Sequence, residues 1–438
     1  MIWAGAMRLF LAALLTLLLL PSVAPAAPNA HREVLPNGIV LLVAERPDVP
    51  IVVVRVFLKA GSVFDPSDKG GLANLTGALV TRGTAKHTGV QLDDAIEFVG
   101  GSLEAGTGRD GLTVSLSVLK RDLGLGLDLL TEVILSPTFP QEELARKVAQ
   151  IQAAIKRSDE DPNTVAARAL AHLVYPNHPY GNPVEGTIES VGKLTRDDVV
   201  AFHQEHVRPD TAIVAVVGAV TVDEARRQVL ARLGNWTKPS TPPPAVGPAI
   251  ASGQTRAETL TKELTQATIM LGRQAIRQID PDYFPLGVAS YILGGGSASR
   301  LYARVRDEGG LAYSVYSYVS PARYGATFVV SAQTRVGEVS KVLDLVRAEL
   351  SRMTAGPVSE DELKLAKDYL IGSFPLRLDT TAKVADFIVA IEEQGLGLDY
   401  ADRYKASVAR VTAEDVQRVA GRFMSPDGFN RVVVGAKP

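Results

Sequence analysis

Residues 194–219 read L-T-R-D-D-V-V-A-F-H-Q-E-H-V-R-P-D-T-A-I-V-A-V-V-G-A, and residues 411–436 read V-T-A-E-D-V-Q-R-V-A-G-R-F-M-S-P-D-G-F-N-R-V-V-V-G-A. Without a gap, Thr195, Asp198, Val199, Pro209, Asp210 and 216–219 recur as Thr412, Asp415, Val416, Pro426, Asp427 and 433–436. Each copy has the same physical content. Thr followed by Asp three residues on resembles a capping box that starts a helix. The Pro-Asp pair ends that helix and turns the chain. A buried β-branched run follows as a strand. A repeated helix-turn-strand unit in 438 residues implies two domains of similar fold.

Between the copies, residues 237–253 read T-K-P-S-T-P-P-P-A-V-G-P-A-I-A-S-G, whose prolines make an extended, semi-rigid connector. The expected organisation is therefore a domain at 34–236, a linker at 237–254 and a second domain at 255–437. In the first, 39–44 and 51–58 read as strands, and 112–119 alternates Leu and Val with Thr and Ser as a half-buried strand. Helical patterns cover 70–82, 91–99, 121–134, 141–157, 163–175 and 195–206. The second domain mixes strands near 255–273, 311–319 and 324–333 with helices near 280–293, 298–308, 336–353, 358–371 and 375–395. Sheets flanked by runs of helices mean α+β, each domain a mostly antiparallel sheet with helices packed on one side.

The N-terminus carries Arg8, an apolar run at 9–20, Pro21 and a small-residue stretch ending in Ala24-Pro25-Ala26. That is the order of a secretory signal peptide, 1–26, cleaved after Ala26. The alternative is an uncleaved anchor, for which twelve apolar residues are short. Cleavage would leave a periplasmic or otherwise exported chain with no stable membrane span. The chain has no cysteine, so disulfides and thiolate zinc sites are excluded. A net charge of −2 argues against nucleic acid as a partner.

Residues 71–84 read G-L-A-N-L-T-G-A-L-V-T-R-G-T. This frame resembles the zinc helix of the pitrilysin and mitochondrial processing peptidase family, the H-x-x-E-H metallopeptidases. In that family two His four apart bind zinc, and the Glu before the second activates the bound water. The matching positions here are Asn74, Gly77 and Ala78. The family's distal carboxylate falls about 76 residues beyond the second His, which lands on Ala154. Both imidazoles, the base and the distal carboxylate are missing, so no metal is expected in this chain.

A second element survives. Residues 305–313 read V-R-D-E-G-G-L-A-Y, preceded by G-G-G-S-A-S-R-L at 294–301. Both resemble the same family, in which an Arg and a Tyr seven apart hold the substrate backbone and stabilise the oxyanion. Carried over, those roles fall on Arg306 and Tyr313. The resemblance spans 34–436. It implies a subunit inactive alone, supplying Arg306 and Tyr313 in trans to a homologous partner with an intact H-x-x-E-H, where zinc is expected. The substrate would be an extended peptide lying against a sheet edge. The alternative is an inert scaffold or peptide-binding protein of the same fold.

Other motifs are weaker. His203 and His206 lie in the repeated helix, whose second copy has Ala420 and Phe423 there, so packing is the expectation over metal binding. His178 belongs to the loop signal N-H-P-Y-G-N-P. Ser117 with Lys120 and Ser190 with Lys193 fit S-x-x-K, but neither has the S-D-N or K-T-G companion of the penicillin-binding hydrolases.

Overall fold

The computed structural model describes residues 29–251 and 253–435. The expected signal peptide lies outside them. In the first half six strands, β1 (Ala30–Val34), β2 (Val40–Glu45), β3 (Ile51–Leu58), β4 (Ser102–Thr107), β5 (Leu112–Leu119) and β6 (Ile213–Gly218), form one sheet in the order β1-β2-β6-β3-β5-β4. Its helices are α1 (Leu72–Leu79), α2 (Gly89–Phe98), α3 (Leu123–Leu135), α4 (Gln141–Ser158), α5 (Pro162–Val174), α6 (Ile188–Gly192), α7 (Arg196–His206) and α8 (Val222–Leu233). In the second half β7 (Ala257–Leu260), β8 (Gln266–Ala275), β9 (Ala312–Ser320), β10 (Ala326–Arg335) and β11 (Asn430–Val434) form a sheet in the order β7-β11-β8-β10-β9. Its helices are α9 (Tyr283–Gly294), α10 (Val339–Ala355), α11 (Glu360–Ser373), α12 (Thr381–Gln394), α13 (Tyr400–Arg410) and α14 (Ala413–Phe423).

The two sheets share one topology. Strands β2, β6, β3, β5 and β4 occupy the places of β7, β11, β8, β10 and β9, and β1 is an addition at one edge. Each sheet has one parallel pair, β2 with β6 and β7 with β11; the remaining pairs are antiparallel. The repeated sequence unit explains this. It forms α7 and β6 in one half, α14 and β11 in the other. Both capping boxes form: Asp198 N–H donates to Thr195 Oγ1 at 3.2 Å, and Asp415 N–H to Thr412 Oγ1 at 3.1 Å. Each unit delivers its strand to an interior place in its sheet, so 213–218 and 432–434 are buried on both faces and read as apolar runs.

The second face of each sheet is covered from the other half. On the first sheet, Leu41, Val43, Val52, Val54, Val214 and Val216 pack on the half's own helices. Leu42, Ala44, Val53, Ala215 and Val217 face the opposite way and join a core with Val384, Ala385, Ile388 and Ile391 of α12. On the second sheet, Met270, Val329, Val432 and Val434 pack against Ala166, Leu170 and Leu173 of α5. Polar pairs seal the exchange. Arg55 meets Asp386 at 2.7 Å and Arg32 meets Glu392 at 2.9 Å. Tyr175 donates to Ala326 O at 2.9 Å.

Several elements were not legible. The sequence pattern shows no strand at β4, because Glu and Gly are poor strand formers and an edge strand needs little apolar alternation. Helices α8 and α13 are likewise missed. The helix expected at 375–395 splits: Phe374–Arg377 is a 3₁₀ turn, and α12 starts afresh after Thr380, whose hydroxyl caps Lys383 N–H at 3.1 Å.

Because α12 belongs to the second half and roofs the first sheet, the halves should melt together. Ile388→Ala, at a fully buried position, should cost about 2–5 kcal/mol. Its urea unfolding curve should stay a single transition by fluorescence and by circular dichroism. Two separated transitions would show that the halves are independent.

Candidate functional site

Helix α1 starts without a side-chain cap of its own. Asp65 supplies one from the preceding turn, its carboxylate accepting Gly71 N–H and Ala73 N–H, both at 2.8 Å. Gly71 has φ 92°, and a Cβ there would lie 2.6 Å from Glu185 O, so the entry turn needs glycine. Asn74 and Ala78, one turn apart, are partly exposed on one side of α1, and Gly77 is buried.

Gly77 is where the helix touches edge strand β4. A Cβ at this position would stand 2.1 Å from Thr107 Oγ1 and 2.9 Å from Leu112 Cδ1. Thr107 then donates to Ala73 O at 3.1 Å, tying strand to helix. The space into which a side chain at position 77 would start is taken by the Thr107 and Leu112 side chains. Ala154 is exposed on α4, which packs against α1. Amide, hydrogen and methyl side chains are not zinc ligands. Among the described residues no three His, Cys, Asp or Glu side chains gather to hold a metal. The residues at this frame therefore do not fit zinc.

The histidines serve packing. His203 Nε2 bonds Ile134 O at 2.9 Å. His206 is buried between the rings of Phe64 and Phe202, 4.9 and 4.4 Å away. Burial lowers the pKa of both. His178 orders its loop, accepting Tyr180 N–H at 3.1 Å on Nδ1 and meeting linker Gly247 O at 3.2 Å through Nε2. Ser117 is half-buried in β5, Ser190 is the reciprocal partner of Thr187 in the capping box of α6, and Lys193 pairs with Glu189, so neither S-x-x-K forms a dyad.

Arg306 and Tyr313 do come together. The helix expected at 298–308 winds as a π-helical turn over Tyr302–Glu308. Gly310, at φ +58°, reverses the chain into β9. The Arg306 guanidinium carbon lies 4.6 Å from the Tyr302 ring centre and 5.8 Å from that of Tyr313. Two aromatic faces thus hold one cation in place. Tyr313 is 79% exposed. A guanidinium fork and a phenol hydroxyl side by side can bind a peptide carbonyl or an oxyanion.

The family resemblance around 294–313 pointed to the pair but not to its supports. Tyr302 is one. Another is Glu362 of α11, which accepts Arg300 Nε and Nη2 at 2.7 and 2.9 Å just before the π turn. Their separation of 62 residues leaves no local signal. Arg300 holds the Glu362 carboxyl down at about 2. A depressed acid contributes stability above its unfolded pKa of about 4.3, and loses it as pH falls toward 2. Glu362→Gln should flatten that acid dependence in thermal melts between about pH 4.3 and 2; an unchanged profile would show that the pair carries no stability. Gly77→Ala should destabilise the fold by about 1–3 kcal/mol through overpacking. Adding Thr107→Ala should recover part of the loss in urea titrations, and no recovery would mean the contact is not the cause.

Comparison with known proteins follows this geometry. Residues 40–188 match the family described as insulinase (peptidase family M16), and residues 193–370 match the peptidase M16 inactive domain. A protein of Streptomyces coelicolor named as an uncharacterised zinc protease is 29% identical over 90% of this chain and 86% of its own length. The crystal structure of a peptidase M16 inactive domain from Pseudomonas fluorescens superposes with a TM-score of 0.87 at 26% identity, covering 94% of this chain and 99% of that one. A protease from Helicobacter pylori shares the fold, with a TM-score of 0.86 at 21% identity over 94% of this chain and all of that chain. With both halves matched and the zinc frame emptied, the chain belongs to the insulinase-like, pitrilysin-type peptidase family and is of its inactive-subunit type.

Proposed function

We propose that this chain is the non-zinc, substrate-binding subunit of an exported heterodimeric zinc metallopeptidase. The observation that carries this is the coexistence of two states of repair in one molecule. The zinc frame has lost its ligands, and β4 fills the place of its base. The Arg306–Tyr313 pair is present, held and open to solvent. A chain with no use for peptide would have no need to keep a guanidinium stacked beneath an exposed phenol.

On this assignment zinc and the general base belong to a homologous partner with an intact H-x-x-E-H. This chain contributes binding and electrostatics. Arg306 forks onto the substrate backbone, and Tyr313 donates to the oxygen on which charge develops. Both groups are preorganised, so little reorganisation accompanies the reaction.

Tagged protein drawn from the native cell envelope should carry a stoichiometric homologous partner and about one zinc per pair. A zinc-free homo-oligomer, or a partner unrelated to peptidases, would replace the catalytic assignment with a scaffold or peptide-binding role. The purified chain alone should hold no stoichiometric zinc and cleave no peptide; zinc-dependent cleavage by it would refute the inactive-half assignment. In the complex, Tyr313→Phe should lower turnover about a hundred-fold while assembly is retained. Unchanged turnover would remove Tyr313 from the chemistry.

A further inference from the structure

A cavity of about 290 Å³ opens beside the 3₁₀ turn Pro426–Gly428, between α10 and the β7–β11 side of the second sheet. Its charged walls come from three places. Arg256 stands just before β7. Its backbone N–H donates to Asn430 Oδ1 at 3.0 Å and its carbonyl accepts Arg431 N–H at 2.9 Å, which fixes it beside the start of β11. Arg431 alternates with Val432, so it falls on the face of Val433, the side that α10 and α14 cover. Arg347 comes from α10, one turn beyond Leu343.

The charges there do not balance. Three guanidiniums line the cavity against one carboxylate, that of Asp427. Asp427 pairs with Arg347 at 2.8 Å, but both side chains are more than half exposed, so water competes for the pair. Arg256 and Arg431 have no carboxylate partner among the described residues, and Arg431 Nε is buried without an acceptor. Behind Phe429 the pattern recurs. The Arg273 guanidinium carbon lies 5.8 and 5.9 Å from the Phe423 and Phe429 ring centres, and its Nε too is buried without an acceptor. Nothing offsets the burial that pushes its pKa down. Buried donors and cations are ordinarily paired, so guanidiniums gathered on one cavity mark a place for an anion.

We propose that this cavity binds a phosphate monoester, its dianion forked by Arg256, Arg347 and Arg431 and its organic group resting on Leu271, Leu343 and Phe429. A guanidinium offers parallel N–H donors that match two phosphate oxygens. A monoester carries close to two negative charges at neutral pH. That matches the two cations which Asp427 leaves unmatched, where a monocarboxylate would match one. The volume is at the small end of ligand sites and suits a phosphate with a short organic group. The site is separate from the Arg306–Tyr313 pair: β7 and β11 lie at one side of the sheet, and Tyr313 is on β9 at the opposite edge. The same chemistry is offered by a free phosphate ester and by a phosphomonoester lipid headgroup.

Glycerol 3-phosphate is the probe, since the same group heads phosphatidic acid. Calorimetric titration of the purified chain should show one site that weakens as sodium chloride is raised. Arg256→Gln, at an exposed position, should weaken binding about ten-fold, and Arg256→Lys should recover part of the loss. Arg431→Met should abolish binding without lowering the melting temperature, because it removes a buried donor that has no acceptor. Asp427→Asn should tighten binding about three-fold by releasing Arg347. No binding by the folded chain, equal binding of acetate, or unchanged binding in both Arg256→Gln and Arg431→Met would overturn the proposal. Sedimentation with phosphatidylcholine vesicles, with and without phosphatidic acid, separates the two sources. Retention only on phosphatidic acid vesicles, lost in Arg256→Gln, assigns the site to a lipid headgroup. No retention while glycerol 3-phosphate still binds assigns it to a free ester.

Discussion

Burial of both faces of both sheets is the constraint on which the rest of this structure depends. A sheet with helices on one side still exposes an apolar face, and neither half can cover it alone. The halves solve this by exchange: α12 roofs the first sheet and α5 the second. Each fully buried branched side chain in such an interface contributes about 1.5–3 kcal/mol, and α12 brings Val384, Ile388 and Ile391 to the task. The exchange fixes how the halves sit relative to each other. It therefore also fixes the geometry between the emptied zinc frame, on the first sheet's helices, and the Arg306–Tyr313 pair at the rim of the second.

The emptied frame is more than a set of substitutions. Once position 77 is glycine, β4 can close on α1, and Thr107 takes the space and bonds the helix backbone. The strand–helix contact and the absence of the base are one packing solution. Restoring a carboxylate at this position would require the Thr107 and Leu112 side chains to give way. At the other site the packing works in the opposite sense. Tyr302 stacks on the Arg306 guanidinium within the π turn, and the Arg300–Glu362 fork ties the residues just before that turn to α11. One site has been closed by its neighbours and the other is propped open by them.

Much of this was legible in the linear chain. The repeat of 194–219 in 411–436 announced two related halves, because a capping box and a buried strand have strong local signatures. The central strands β3, β5 and β6 were readable from their alternation or unbroken apolar runs. Asn74, Gly77, Ala78 and Ala154 were marked by the resemblance to the zinc motif, and Arg306 with Tyr313 by the resemblance of the residues around them. Edge strand β4 was not readable, since Glu104 and Gly106 carry no strand pattern and their pairing comes entirely from β5. Glu362 was not readable as a support, because 62 residues separate it from Arg300, whereas Tyr302 stands one helical turn before Arg306 and was passed over.

The linear chain thus specified the central strands and most of the long helices, that a helix-turn-strand unit forms twice, and which chemical groups are present or missing. Those are consequences of periodicity, capping and residue identity, all short-range. The tertiary structure alone decided which helix covers which sheet, that a threonine fills the place of a base, and that Arg256, Arg347 and Arg431 share one cavity. These are outcomes of long-range packing, in which a residue's neighbours are set by how two apolar faces avoid water rather than by their place in the chain.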